Sequence, residues 1–186
     1  MGTRRSGWGR TVPGMSIALD LLIDAASRPR EALDTLRQGI AAAPRALDAH
    51  PGGHDNSVAW LLWHTGREID VQVADLSGQP ERWDGGGFAE RTGLGEAGAG
   101  IGYGHTPEQA RAITVRAAEP LLEYLDAAVG SLLEYLGTLT EADLTAVIDE
   151  AWDPPVTRGA RLVSIIDDAA KHIGQAAYVL GMPELR

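Results

Sequence analysis

Asp168 and His172 stand four residues apart in the segment Ser164 to Gln175, on a stripe that otherwise carries Ile165, Ala169, Ala176 and Val179. Side chains at i and i+4 share one helix face, so this spacing stacks a carboxylate and an imidazole on a mostly apolar surface. An unpartnered carboxylate taken out of water is costly and demands a partner. A second histidine inside an apolar segment, His64, stands well upstream. The simplest partner that all three share is a divalent metal ion. Two imidazoles and one carboxylate are typical ligands of first-row metals, and a three-ligand set leaves positions open for water or substrate, as catalytic sites do. Zinc and nickel lead the candidates; iron and manganese also suit the set.

Each residue also has an ordinary reading. His64 alone would be a hydrogen-bonded core or interface histidine, and Asp168 with His172 would be a solvated or mutually paired couple near Arg161 and Lys171. Glu68, four residues after His64, could orient that ring or join its coordination sphere; the ordinary alternative is a surface carboxylate. Asp70 suits a surface or loop-anchoring acid. Asp167 points about 100° away from Asp168 on a helix and is the poorer ligand. His105, just before Thr106, could swing over a pocket or be a plain loop histidine. Trp60, Trp63 and Trp152 read as packing residues, with Trp60 one turn before His64 as a pocket wall. The sequence contains neither HExxH nor the paired Glu-x-x-His of di-iron bundles, which disfavours a two-metal oxidase. The glycines from Gly98 to Gly104 follow no strand signal and lack the dinucleotide-binding spacing.

Composition narrows the partners. The chain has 186 residues and 44% hydrophobic content, enough for one domain with a single core. It has no cysteine, so disulfides, thiolate zinc sites and a protein thiol nucleophile are excluded, and sulfur chemistry would need a thiol from outside. A formal charge of −10 with scattered basic residues argues against nucleic acid. Lys171 is the single lysine, and the weight of Arg, Ala and Gly suggests a GC-rich coding bias. Residues 1–14 lack a secretory apolar core and read as a disordered extension before a domain over 15–186. No segment has the apolar length of a membrane span, and a cytoplasmic location is expected.

The elements that must position the candidate ligands are helical. Residues 16–43 carry Ile17, Leu21, Ala25, Leu33, Leu36 and Ile40 at helical intervals, with Pro29 either kinking one helix or opening a second capped by Ser27. After a Pro- and Gly-rich loop, Asn56 or Ser57 can cap a helix to about Leu76, buried along Val58, Leu61, Leu62, Thr65, Ile69, Val73 and Leu76. Residues 78–104 contain ten glycines and little periodicity, so they form a long connection that is functional or mobile and could cover a site. Thr106-Pro107-Glu108-Gln109 is a capping box opening a third helix to about Leu136, which Pro120 should bend or locally break. Its apolar face is Leu121, Leu125, Val129, Leu132 and Leu136. A short turn begins at Thr140, 147–148 and 155–156 are brief extended pieces, and a last helix spans 159–180 before Gly181 and Pro183. The fold class is all-α, with four main helices forming a bundle.

Asn56 to His64 and Asp168 to Gln175 together resemble the two hallmark segments of the DinB-like superfamily over roughly residues 16–181. Gly102 to Glu108 and Trp152 to Gly159 resemble an uncharacterised branch of it. The resemblance implies an up-down-down-up four-helix bundle, a metal held between the second and fourth helices, and frequent homodimers. Its usual ligands are a His on the second helix and a His-x-x-x-His pair on the fourth. His64 and His172 match, and Asp168 stands where the first His of the pair is expected, which alters the charge and hardness of the site. Characterised relatives include thiol-dependent transferases and a maleylpyruvate isomerase that use mycothiol or bacillithiol, and a GC-rich origin favours mycothiol. The resemblance therefore implies a metal-dependent transferase or isomerase acting on a small electrophile with an exogenous thiol. The same site also suits a metal-dependent hydrolase or a non-heme iron enzyme, and a bundle without metal would serve ligand binding or dimerisation.

Overall fold

The computed structural model describes residues 16–185, so the expected extension over 1–14 lies outside the described residues. Four long helices, α1 (Ile17–Ala42), α2 (Val58–Ser77), α6 (Glu119–Leu136) and α7 (Arg158–Leu180), carry the architecture. Three short ones, α3 (Arg82–Gly85), α4 (Phe88–Thr92) and α5 (Pro107–Arg111), lie between α2 and α6. Strands β1 (Val147–Asp149) and β2 (Val156–Thr157) form an antiparallel pair before α7, so the described chain is all-α apart from one small hairpin.

Caps set most helix boundaries. The hydroxyls of Ser16, Ser57 and Thr157 accept from the backbone N–H three residues on, opening α1, α2 and α7. Thr106 and Gln109 form the expected capping box, but the helix they open ends at Arg111. The expected continuous helix over 106–136 is therefore two helices. Pro120 falls in the first turn of α6, where its missing N–H is no loss, and the ring excludes a helical carbonyl four residues back. Between the two, Ile113 and Val115 turn into the core. Pro29, by contrast, lies within one continuous α1, and Ser27 caps nothing there: its hydroxyl bonds the Asp24 carbonyl.

The four long helices pack so that α1 and α2 each lie against both α6 and α7. Arg30 meets Asp126 at 2.6 Å and Arg37 meets Glu119 at 2.9 Å, so α1 and α6 run antiparallel. Gly39 lies against Leu180, which puts the C-terminal ends of α1 and α7 together. Tyr124 reaches Asp70 while Ser131 and Val73 lie further along, so α2 and α6 run the same way. His64 faces Asp168 while the far end of α2 approaches Arg158, making α2 and α7 antiparallel.

The expected faces of α2, α6 and α7 are the observed ones, except that Leu76 and Val179 are only partly buried. Helix α2 is buried all round from Val58 to Asp70. On α1 the N-terminal half is turned: Leu19 and Ala26 are buried, while Ile17 and Leu21 are exposed. Apolar residues occupy nearly every position from Ile17 to Ile23, so periodicity there does not define one face. Trp152, expected to pack, lies exposed in the β1–β2 turn, where no element covers it. Among the described residues no helix is long and apolar enough to cross a membrane.

The glycine-rich connection is folded. Trp83, Phe88 and Leu94 insert from it into the core, and Trp83 and Phe88 contact the ring of Tyr124 at centroid distances of 4.8 and 5.1 Å. Asp70 ties the start of this cap to α2, accepting from the backbone N–H groups of Arg82 and Trp83 and from the Tyr124 hydroxyl. Asp70 is thus the loop-anchoring acid.

Candidate metal centre

His64 lies in the N-terminal half of α2, and Asp168 and His172 lie one turn apart on α7, so antiparallel packing of the two helices brings them together. One potential ligand atom from each falls within 4.8 Å of the others. The Nε2 of His64 is 3.6 Å from Asp168 Oδ2, and the Nε2 of His172 is 3.5 Å from Asp168 Oδ1. Bonds of 2.0–2.1 Å at tetrahedral angles place neighbouring nitrogen and oxygen ligands roughly 3.3 Å apart; here each imidazole lies a little beyond that distance from a different oxygen of the one carboxylate.

The outer ring nitrogens are also held. The Nδ1 of His64 bonds the carbonyl of Ile101, and the Nδ1 of His172 bonds Gln175 Oε1 at 2.7 Å. A carbonyl accepts but cannot donate, so His64 must carry its proton on Nδ1, leaving a lone pair on Nε2 toward Asp168. Gln175 oriented with its oxygen to the ring does the same for His172. This is the outer hydrogen bonding that metal-ligating histidines have. Burial holds the His64 ring below the usual histidine range, with His172 and His105 adding to the effect against the Ile101 carbonyl and Asp168, so the neutral form prevails. The nearby cations do not compete for the carboxylate: Lys171 pairs with Asp167, and Arg161 lies 3.5 Å from Asp149. Asp168 is half-buried rather than enclosed, so the centre opens to solvent on one side.

Gly102 makes the Ile101 contact possible. Its φ of +89° is in the region that favours glycine, and a Cβ there would come within 2.9 Å of Trp60 and Trp63 and 3.0 Å of the His64 ring. The cap thus lies directly on the α2 aromatics. Trp60 stacks on His64 with centroids 4.5 Å apart and donates its Nε1–H to His105 Nδ1 at 3.3 Å; His105 in turn stacks on Trp63. With Asn56 and the exposed Tyr103 these residues surround a cleft of about 330 Å³ beside the three candidate ligands. His105 therefore lines the cleft, Trp60 walls it, and Trp63 is buried behind it.

Glu68 is not a surface carboxylate. It is buried one turn below His64, its Oε1 bonds Gln72 and its Oε2 has no partner. Burial, reinforced by the charge of Asp168, pushes its carboxyl up to about 9. Residue types and spacing point to His64, Asp168 and His172, but not to the two acceptors behind the rings. A backbone carbonyl has no side-chain signature; Gln175, three residues after His172, could have been found from helical spacing alone.

The model of the DinB superfamily matches residues 21–176. The chain belongs to the DinB superfamily. The crystal structure of a conserved protein from Enterococcus faecalis is similar to this chain at 37% identity and a TM-score of 0.76, covering 90% of this chain and 96% of that one. No curated protein matches the chain at a significant level. The DinB assignment accounts for the helical fold, and the His, Asp and His cluster is a candidate metal centre within it.

Proposed function

We propose that this DinB-superfamily protein binds a divalent metal ion through His64, Asp168 and His172 and uses it in a transferase or isomerase reaction with an exogenous low-molecular-weight thiol such as mycothiol. One observation carries the metal reading: both imidazoles turn Nε2 toward one carboxylate while their Nδ1 atoms are committed elsewhere. Zinc or nickel suits two imidazoles and a carboxylate, with iron and manganese as further candidates. The overall reading is a four-helix bundle running up-down-down-up over a domain of residues 15–186, supported by the pairings of α1 with α6 and α2 with α7.

A divalent cation lowers the pKa of a coordinated thiol and holds it as a thiolate nucleophile. The chain has no cysteine of its own, which is compatible with a thiol delivered from outside. The residues around the centre have distinct tasks. Ile101 and Gln175 fix the tautomers of the two histidines; Trp60, stacked on His64, keeps water from one face of that ring. Asn56, Tyr103 and His105 offer polar contacts to a small electrophile in the cleft. Burial raises the Glu68 carboxyl, so in the metal-free fold it adds no second negative charge beside Asp168. A homodimer and a cytoplasmic location complete the reading by family analogy and composition.

Metal analysis of protein purified without nickel affinity tests the first half. The wild type should retain close to one ion per chain and the His64→Ala, His172→Ala double variant almost none; equal, near-zero content in both would sink the metal reading. Incubating metal-loaded protein with mycothiol and an alkylating electrophile tests the second half. Free thiol should disappear faster than in the metal-free control, and matching rates would count against thiol transfer.

A further inference from the structure

A second and larger cleft, of about 640 Å³, opens between the C-terminal halves of α2 and α6, with its floor at the start of α7. It shares no lining residue with the cleft at the candidate metal centre. Its volume lies within the range of small-molecule sites, roughly 300–1,000 Å³. One wall is apolar, with Val73, Leu76 and Leu139; at the floor Arg158 and Tyr135 stand together.

The polar groups of this cleft are unevenly satisfied. Three carboxylates line it, and each has partners. Asp70 accepts from two backbone N–H groups and Tyr124, Glu134 pairs with Arg82 at 2.8 Å, and Asp143 accepts from the Thr140 backbone and hydroxyl at 2.7 and 2.6 Å. Arg158 is different. Its Nη1 donates to the Asp143 backbone carbonyl at 3.1 Å, but the nearest carboxylate oxygen is 3.8 Å away and its buried Nε has no partner. A buried N–H without an acceptor is a group that native structures rarely leave unmet. That Nε is closed off from the cleft surface; what the floor presents is a partly exposed guanidinium whose nearest carboxylate oxygen, of Asp143, lies 3.8 Å away, with the Tyr135 hydroxyl beside it.

We propose that this cleft is a binding site for a small amphipathic carboxylate, with its head group on Arg158 and Tyr135 and its apolar part against Val73, Leu76 and Leu139. Guanidinium donors suit a carboxylate because the hydrogen bonds are charge-assisted and planar. The acids of the lining already have donors, so none of them calls for a cationic head. The site is independent of the metal reading, since no candidate ligand lines it.

Octanoate and octylamine, titrated separately into the full-length protein, test this by calorimetry and by the backbone amide resonances of Val73, Leu76 and Leu139. Octanoate should saturate one site and shift those amides, whereas octylamine should not saturate. Arg158→Met should weaken octanoate by about tenfold or more, in line with a hydrogen bond to a charged group. Tyr135→Phe, which keeps the ring and removes the hydroxyl, should weaken it several-fold with the fold intact, so the site remains testable even if Arg158→Met fails to fold. Absence of saturable octanoate binding, shifts confined to the metal-site cleft, equal affinity for octylamine, or wild-type affinity in Tyr135→Phe would overturn the proposal.

Discussion

Glu68 ties the centre to the stability of the helix that carries it. Its carboxyl stays protonated in the fold up to about 9, whereas a solvated one ionises near 4.5. Below pH 4.5 both states hold the proton and there is no penalty. As pH rises from 4.5 toward 9 the unfolded chain releases it and the folded chain does not, so the folded state loses stability across that window. Urea unfolding of metal-free protein should therefore give a lower stability at pH 8.5 than at pH 5.5, and Glu68→Gln should flatten that slope; parallel slopes would mean that Glu68 ionises freely in the fold. The candidate set of His64, Asp168 and His172 was legible in the sequence because a donor's identity is its side chain and i,i+4 spacing puts Asp168 and His172 on one face. The burial of Glu68 was not, since it depends on α2 being covered on every side. Asp168 is the residue at which the candidate metal set departs from the three histidines of the resemblance, and Asp168→His should shift preference toward zinc over manganese in competition binding.

At the scale of elements, the start of the cap between α2 and α6 is tied to α2 by Asp70. Asp70 is nearly inaccessible and lies 3.8 Å from the equally buried Arg67. Asp70→Ala would leave two loop N–H groups and the Tyr124 hydroxyl without their acceptor, while Arg67 keeps Glu81 at 2.8 Å, with an expected loss of about 3–5 kcal/mol in urea unfolding. Hydrogen exchange should report it locally, with the amides of Arg82 and Trp83 losing protection first; unchanged exchange there would show that Asp70 does not hold the cap. The long helices were readable because their buried faces repeat over several turns. The cap was not, because Trp83, Phe88 and Leu94 each anchor a different short turn and set up no period. The turned face at the start of α1 has the opposite cause: apolar side chains on every side leave the phase undecided. Thr106 marks a true helix start, but the chain leaves the helix at Arg111 so that Ile113 and Val115 reach the core, and α6 begins afresh beside Pro120.

For the whole molecule, a metal that joins α2 to α7 binds the folded chain and not the separated helices, so it should raise the melting temperature. At a free concentration of a hundred times Kd the gain is about 2.7 kcal/mol. For a chain of this size each kcal/mol moves the midpoint by roughly 2–4 °C, giving about 5–10 °C in calorimetry with zinc or nickel, and no shift in the His64→Ala, His172→Ala variant. The contact between the cap and His64 bears on the same coupling. The acceptor behind that ring belongs to the main chain, so replacing the Ile101 side chain leaves it in place, and Ile101→Ala should keep the wild-type metal affinity. Gly102→Ala should lower affinity several-fold, because a methyl group cannot fit between the cap and the tryptophans. The orientation of a ligand is thereby insulated from sequence drift at the position that supplies its partner, and the vulnerability is moved to a neighbour that carries no chemistry of its own.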